Sequence, residues 1–311
     1  MSVSLSADDA KDWTYVGEGN QNLVVRYHGE RHEYIVAMTP VKTSRGFLEQ
    51  LASHVQPFRP DSRLKNNIVI DAPFSMLMDD LMSTLTFELK PKWGFKPSST
   101  HPKKRLYCRY CMHSHMKQIP IHDYCPLDLY SGDQARIQKA LVSLPVCLEQ
   151  AMFEEIRMQD ILEHILVQDP ILSRLKSLQS RLDALDVESI LPLYQQYQSS
   201  IFHTTDIAVW QIVVKRFFNR QPLLEKEQSL QKIYEYVLSM TFKDCSIMIN
   251  VNKTTEKDKR TVDVNGSLFS YDVKVIDTDL KNLEKIPYWH QLDQAIVQHA
   301  VDTCFEKQEC K

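Results

Sequence analysis

Glycine is scarce in this chain, with seven in 311 residues against an average usage of about 7%. That scarcity excludes collagen-like and glycine-linker architectures. Long hydrophobic runs are missing too. None approaches the roughly 18 apolar residues that cross a bilayer, so no membrane partner is expected. An excess of one charge is also lacking. Lys and Arg number 37 against 40 Asp and Glu, a formal net charge of −3. Attraction of the whole molecule to polyanions is therefore excluded. The opening "MSVSLSADDAKDW" is polar and acidic, unlike a secretory signal. The seven cysteines, odd in number and scattered, lack the pattern of a disulfide framework. They point to reduced thiols, in the nucleus or the cytoplasm.

What is present is enough apolar content for a sizeable core, 43% of residues, and enough length for two domains. Residues 12–38 read as strands broken by turns: "WTYV", "NLVVRYH" and "HEYIVAM" alternate with "GEG" and "HGER". "TSRGFLEQLASHV" has helical spacing, and "NNIVI" at 66–70 reads as a short strand. In "STLTFELK", Leu85, Phe87 and Leu89 alternate with Thr86, Glu88 and Lys90, as in a half-buried strand ending at Pro91. From about 133 the pattern turns helical. Ile171, Leu175, Leu178, Leu182 and Leu185 mark a core-facing helix rather than a sustained coiled coil. Strands return in "CSIMINVN", "RTVDVNG" and "SYDVKVIDTD", and a last amphipathic helix covers "YWHQLDQAIVQHAVDTCF".

Four features could carry chemistry. The scarce glycines cluster in "VGEGNQN", where a turn between strands lets a phosphate approach the backbone. Alone, this string is more often a plain hairpin, for it lacks the endings of the dinucleotide and P-loop fingerprints. From Glu88 to Lys117, eight basic residues accompany one acid. That density suggests a polyanion partner, against the blander reading of a solvated basic loop. Asp244 precedes one apolar strand, and Asp277 and Asp279 end another. Aspartates on neighbouring strands can hold Mg²⁺ beside ATP phosphates, though strand-end turn chemistry also favours them. Finally, Cys108-x2-Cys111 with Cys125 and nearby histidines has zinc-like spacing. Without a second paired motif, ordinary thiols in a packed turn are favoured over structural zinc.

Taken in order, "GEGNQN", "ELKPKWGF", "CRYCMHSHMK", "YCPLDLYSGD", "KDCSIMI" and "VIDTDLKNLEK" resemble the inositol-pentakisphosphate 2-kinase family across nearly the whole chain. Its compactness is similar to that of fungal-type members. The resemblance implies an α+β, two-lobed inositol phosphate kinase fold distantly related to protein kinases. A strand-rich N-lobe (1–106) and a mixed α/β C-lobe with the inositide-binding region (107–311) would hold ATP between them. It implies Mg²⁺-assisted, in-line transfer of the ATP γ-phosphoryl group to the 2-hydroxyl of inositol 1,3,4,5,6-pentakisphosphate, giving inositol hexakisphosphate (phytate).

By the same resemblance, Gly17, Gly19, Asn22, Glu88 and Lys90 face the nucleotide. Lys92, Arg109, His113, Lys117, Lys281 and Lys285 grip the inositide. Asp244 is base and metal ligand, Lys90 assists catalysis, and Asp277 is the second metal ligand. Three departures stand out. Gln21 replaces a small residue, and the arginine usual in the next strand is missing, leaving Lys42 or Arg26 as candidates. "VCLEQAMFEE" stands where an asparagine pair is usual. A monomer is expected, without direct nucleic-acid binding. The rivals are a kinase for another inositol phosphate and a non-catalytic polyphosphate- or RNA-binding scaffold. A scaffold has no use for Glu88, Asp244 and Asp277 together.

Overall fold

The computed structural model describes residues 4–18, 23–28, 39–77, 85–119, 124–144, 152–153, 156–201, 207–219 and 223–311. The chain divides into two compact units, Met1–Ser83 and Thr84–Lys311. The expected boundary at 106/107 thus falls inside the larger unit.

In the smaller unit, β1 (Ser4–Leu5), β2 (Trp13–Glu18), β3 (Leu23–Tyr27) and β4 (Thr39–Thr43) precede helix α1 (Arg45–Val55). A short α2 (Asp61–Leu64) and β5 (Phe74–Leu77) follow. β2 and β3 form an antiparallel hairpin whose register shifts between Tyr15 and Gly17. β4 pairs with β1 in parallel and with β5 antiparallel. Ser44 starts α1, its hydroxyl accepting the Phe47 N–H at 3.1 Å, and so satisfies an otherwise orphaned donor. The helix buries Phe47, Leu48, Leu51 and Val55 against Trp13, Val41 and Leu77. The expected strand at 66–70 does not form. Ile68 and Ile70 pack on this core while Val69 is exposed. The alternation is therefore real, but the segment has no ladder partner among the described residues and runs as an irregular connector. "HEYIVAM", Gly19, Gln21 and Asn22 lie outside the described residues.

The larger unit opens with β6 (Leu85–Leu89), α3 (Pro102–Leu106), α4 (Arg109–Met116), α5 (Pro126–Leu129) and α6 (Gln134–Val142). The two-residue strands β7 (Met152–Phe153) and β8 (Ile156–Arg157) pair with each other. Helices α7 (Met158–Gln168), α8 (Ile171–Leu182), α9 (Asp186–Tyr197), α10 (Ile207–Asn219) and α11 (Glu225–Phe242) follow. Then come β9 (Ser246–Lys253), β10 (Thr261–Val264), β11 (Ser267–Ile276) and α12 (Ile286–Asp302). The sheet is antiparallel in the order β10-β11-β9-β6. Its inner face, with Leu89, Ile247, Ile249, Val251 and Phe269, buries against α6, α7 and α8. A second cluster joins α9, α10, α11 and α12 through Ile190, Trp210, Ile233, Tyr236 and Trp289. No helix among the described residues is long and apolar enough to cross a membrane.

The leucine-rich helix faces the core as expected, but rotated. Leu172, Leu175, Gln179 and Leu182 are its buried positions, whereas Ile171 and Leu178 are only half-buried. A fully buried glutamine thus sits in an apolar stripe. β6 alternates as read, yet it ends at Leu89, two residues before the expected end at Pro91, and Lys92 adopts a positive φ of 62°. Lys90 and Lys92 therefore do not share a strand face. A left-handed turn, not the pleat, aims Lys92.

Candidate functional site

The sheet brings three strand ends together. Leu89, the last residue of β6, pairs with Ile247 of β9. Ser246, the first residue of β9, pairs with Ile276, the last of β11. Glu88, Lys90, Asp244 and Asp277 therefore gather at one end of adjacent strands. The Ser246 hydroxyl donates to Glu88 Oε1 at 2.7 Å and lies 3.1 Å from Asp277 Oδ2. Lys90 Nζ is 3.4 Å from Glu88 Oε1 and 3.3 Å from Asp277 Oδ2. Burial works against the Lys90 charge, but the Asp277 and Glu88 carboxylates prevail and hold its pKa above the ordinary lysine value. Asp277 adopts a φ of 56°. The strand-end carboxylate and Lys92 thus both occupy the left-handed region that L-residues rarely visit, a kind of strain that clusters at functional sites.

Asp244, on the turn between α11 and β9, is 60% exposed, and Lys281 Nζ donates to its Oδ2 at 2.5 Å. The Lys281 N–H is held in turn by Thr241 Oγ1 at 3.2 Å. Lys285 is exposed, at the end of the 3-10 turn Leu283–Lys285 that leads into α12.

Helix α4 contributes a second set. Arg109, His113 and Lys117 recur every fourth residue and so share one face. Burial lowers the Lys92 pKa; the positive charges of Lys90 and Lys117 act in the same direction and Asp244 against it. Burial, then Arg109, Lys117 and Lys92, push the His113 imidazole down to about 4. Lys92, His113 and Lys117 are thus close enough for their charges to disfavour protonation of one another, a perturbation of the kind that clusters at functional sites. Arg109 is differently engaged. Its guanidinium lies 3.5 Å from Asp293 and 5.0 Å over the Trp93 ring.

The pK shift of His113 has a measurable consequence. Its folded pKa lies below the ordinary value near 6.5, so the unfolded chain binds this proton first as pH falls. The associated stability is fully present above about pH 6.5 and declines towards pH 4. We expect the melting temperature to fall over that window, and to fall less in His113→Gln. Identical pH profiles in the two proteins would contradict the shift.

Much of the basic run from 88 to 117 is structural. Lys104 is buried, its Nζ 2.8 Å from Asp293 and 3.1 Å from Glu188 and also bonded to Asp186. Lys103 Nζ donates to the Phe305 carbonyl at 2.7 Å, and Lys96 pairs with Glu309 at 3.1 Å. Counting charge along the sequence therefore overstates what faces a ligand. Sequence reasoning also missed three supports. Gln179 donates to the Lys92 carbonyl at 3.1 Å and accepts the Gly94 N–H at 2.8 Å. Lys243, buried against Asp183, lies 3.9 Å over the Trp93 ring. In the smaller unit, Glu18 of the glycine string is buried in an ion pair with Arg59, whose Nη2 lies 3.0 Å from Oε2. The signal for Gln179 was its phase, a polar residue in register with Leu172, Leu175 and Leu182. The Glu18–Arg59 pair left none, because 41 positions separate the partners.

Gly94 explains the glycine of "ELKPKWGF". A Cβ there would meet the Tyr130 ring at 2.8 Å, and Tyr130 is buried with its hydroxyl on the Lys92 carbonyl at 3.3 Å. Gly94→Ala is expected to cost about 1–3 kcal/mol by overpacking, measured by chemical denaturation. An unchanged midpoint would show that the turn can shift freely. Gly17, by contrast, has open space where a Cβ would go.

Four cysteine sulfurs converge beside α4. Those of Cys108, Cys111, Cys125 and Cys310 all lie within 4.8 Å of one another. The histidines near the motif are not in this group. His115 hydrogen-bonds Thr303 Oγ1 at 3.1 Å and packs on Phe305, and His122 lies outside the described residues.

The arrangement, paired carboxylates and lysines at strand ends beside a cationic helix face, is that of a phosphotransferase acting on an anionic substrate. The sequence profile of the inositol-pentakisphosphate 2-kinase family matches residues 31–295, and this chain belongs to that family. An inositol-pentakisphosphate 2-kinase of Danio rerio is 22% identical over 96% of this chain and 94% of its own length. One of Cryptococcus neoformans is 26% identical over 97% of each chain. One of Oryza sativa subsp. indica is 24% identical over 96% of this chain and 95% of its own. The alignment with the Danio rerio protein spans 459 positions against 311 residues here, so gaps in this chain stand opposite insertions in the relative.

Proposed function

We propose that this protein transfers the γ-phosphoryl group of ATP to the 2-hydroxyl of inositol 1,3,4,5,6-pentakisphosphate, yielding inositol hexakisphosphate and ADP. The observation that carries the reading is the gathering of Glu88, Lys90, Asp244 and Asp277 at one sheet end, in a chain of this family. The finer fold reading is a two-lobed kinase-like architecture, with 1–106 as N-lobe and 107–311 as C-lobe.

The chain's own groups suit the chemistry. Asp244 is exposed, so it can meet the attacking hydroxyl and accept its proton. A substrate phosphate competes with Asp244 for Lys281, which frees the carboxylate for that task. Lys92, Lys117 and Lys285 receive the remaining phosphates through charge-assisted bonds, which are the strong ones, and His113, its imidazole pushed down to about 4, adds a neutral ring N–H donor beside them. Arg109 supports this face through Asp293 and Trp93. Gly17, Gly19 and Asn22 serve the nucleotide phosphates together with Glu88 and Lys90. The exposed oxygens of Asp244 and Asp277 suit a hard divalent cation, so these two residues would hold Mg²⁺. Bound there, the ion would neutralise charge on the nucleotide phosphates. The protein acts as a monomer in the nucleus, the cytoplasm or both, without direct nucleic-acid contact.

The decisive test is incubation of the purified chain with ATP, Mg²⁺ and inositol pentakisphosphate, with the products resolved by anion-exchange chromatography. Stoichiometric hexakisphosphate and ADP are expected. Tight binding of the pentakisphosphate without turnover would favour the scaffold, and turnover on an isomer with a different free hydroxyl would redirect the substrate.

A further inference from the structure

We propose that Lys243 and Asp183 are positioning residues that hold the Asp244 carboxylate in register with the turn bearing Lys92, an inference that rests on the catalytic reading above.

Lys243 caps the C-terminal end of α11 and directly precedes Asp244. The two side chains meet different surroundings. That of Asp244 is 60% exposed and that of Lys243 only 1%. The buried lysine therefore anchors the backbone that presents the exposed carboxylate. Its ammonium lies 2.5 Å from Oδ2 of Asp183, which caps α8. It also lies 3.9 Å over the Trp93 ring, 5.1 Å over Tyr236 and 5.2 Å over Phe95. Trp93 follows Lys92 in the chain. One buried cation thus joins the residue beside the base to the residue beside a substrate-gripping lysine.

The contacts close into a ring. Asp183 Oδ1 accepts the Asp186 N–H at 2.9 Å, and Asp186 bonds Lys104. Lys104 Nζ is 2.8 Å from Asp293 Oδ2 and 3.1 Å from Glu188, and Asp293 Oδ1 is 3.5 Å from Arg109. The Arg109 guanidinium lies 5.0 Å over the same Trp93 ring. Residues of α3, α4, α9 and α12 are thereby tied to the ends of α8 and α11.

Stability is a poor reason for such a ring. Buried ion pairs are often matched or bettered by apolar side chains of similar volume, and the rings around Lys243 would accept one. What the pair adds is direction. An ammonium fixed by a carboxylate and an aromatic face has one position, and the backbone on either side inherits it. A misplacement of about 1 Å can lose roughly 10²-fold in rate.

Lys243→Met, Asp183→Asn and the double variant test this in the full chain. Removing one partner strands the other charge, whereas removing both relieves it, so the double variant should melt above Lys243→Met. Recovered stability should not bring back the rate. In the double variant kcat for the pentakisphosphate should stay about tenfold or more below wild type, with the ATP KM unchanged. Its crystal structure should show Asp244 and the Trp93 turn displaced from each other. If kcat returns together with the melting temperature, or if both segments keep their wild-type places, the pair serves stability alone and the proposal falls. Should the single variants fail to fold, the double variant carries the test. A wild-type chain without turnover overturns the catalytic reading instead, and the crystal structure then decides the positioning on its own.

Discussion

Asp244→Ala is expected to remove turnover while leaving the protein folded and able to bind inositol pentakisphosphate. A positioned general base contributes roughly 10²–10⁴ in rate, and a carboxylate that also holds a metal contributes further. The structure separates this loss from a folding defect. Asp244 is 60% exposed and pairs with the Lys281 ammonium at 2.5 Å. Truncating an exposed side chain changes stability by within about 0.5 kcal/mol. Binding should not weaken, because the change frees Lys281 and strips a counter-charge from Lys92. The signature is therefore a collapse of kcat with the inositide KM unchanged or lower. Asp244→Asn, which keeps the shape but not the basicity, should behave alike. Steady-state kinetics with a thermal melt on each variant provide the check. Retention of more than about a tenth of wild-type kcat would remove Asp244 from the base role.

How much of this was legible beforehand depends on the distance over which the physics acts. β6 was readable because Leu85, Phe87 and Leu89 alternate with polar residues, and a half-buried strand imposes that period. The convergence of Glu88, Asp244 and Asp277 was legible only as chemistry, since the pairing of β6, β9 and β11 crosses long stretches of chain. The strand expected at 66–70 failed for a related reason. Ile68 and Ile70 satisfy the burial pattern, but strand identity needs a neighbour's backbone, and none is present among the described residues.

The basic run was misleading in a different way. Charge was counted correctly, but Lys104 and Lys103 answer partners in α9, α12 and the carboxy-terminal tail. Sequence proximity shows none of these. The set proposed to meet an anion is smaller, Lys92, His113 and Lys117, which lie close enough for their charges to act on one another.

The aim of Lys92 rests on Gln179, and Gln179→Met should reveal it. Methionine keeps the length and nearly the volume of glutamine but none of its polarity. In the native chain the Gln179 amide donates to the Lys92 carbonyl at 3.1 Å and the Phe242 carbonyl at 2.9 Å. Its oxygen accepts the Gly94 N–H at 2.8 Å. The Lys92 carbonyl keeps Tyr130 and the Phe242 carbonyl keeps the Cys245 thiol, so among the described residues the group left unsatisfied is the buried Gly94 N–H. An orphaned buried donor costs about 1–3 kcal/mol, which for a chain of this size lowers the melting temperature by a few degrees. The larger consequence is functional. Lys92 holds a φ of 62°, and a strained backbone persists only while its surroundings over-determine it. Released, the turn relaxes and the lysine leaves its place beside His113 and Lys117. The inositide KM should then rise roughly tenfold, equivalent to about 1.4 kcal/mol, with the ATP KM unmoved. Gln168→Met supplies the control. It breaks bonds from α7 to the Thr261 carbonyl of β10 and the Tyr271 hydroxyl of β11 and should lower stability without touching the inositide KM. If both variants lose stability and neither changes KM, Gln179 is a packing residue and the turn holds Lys92 without it.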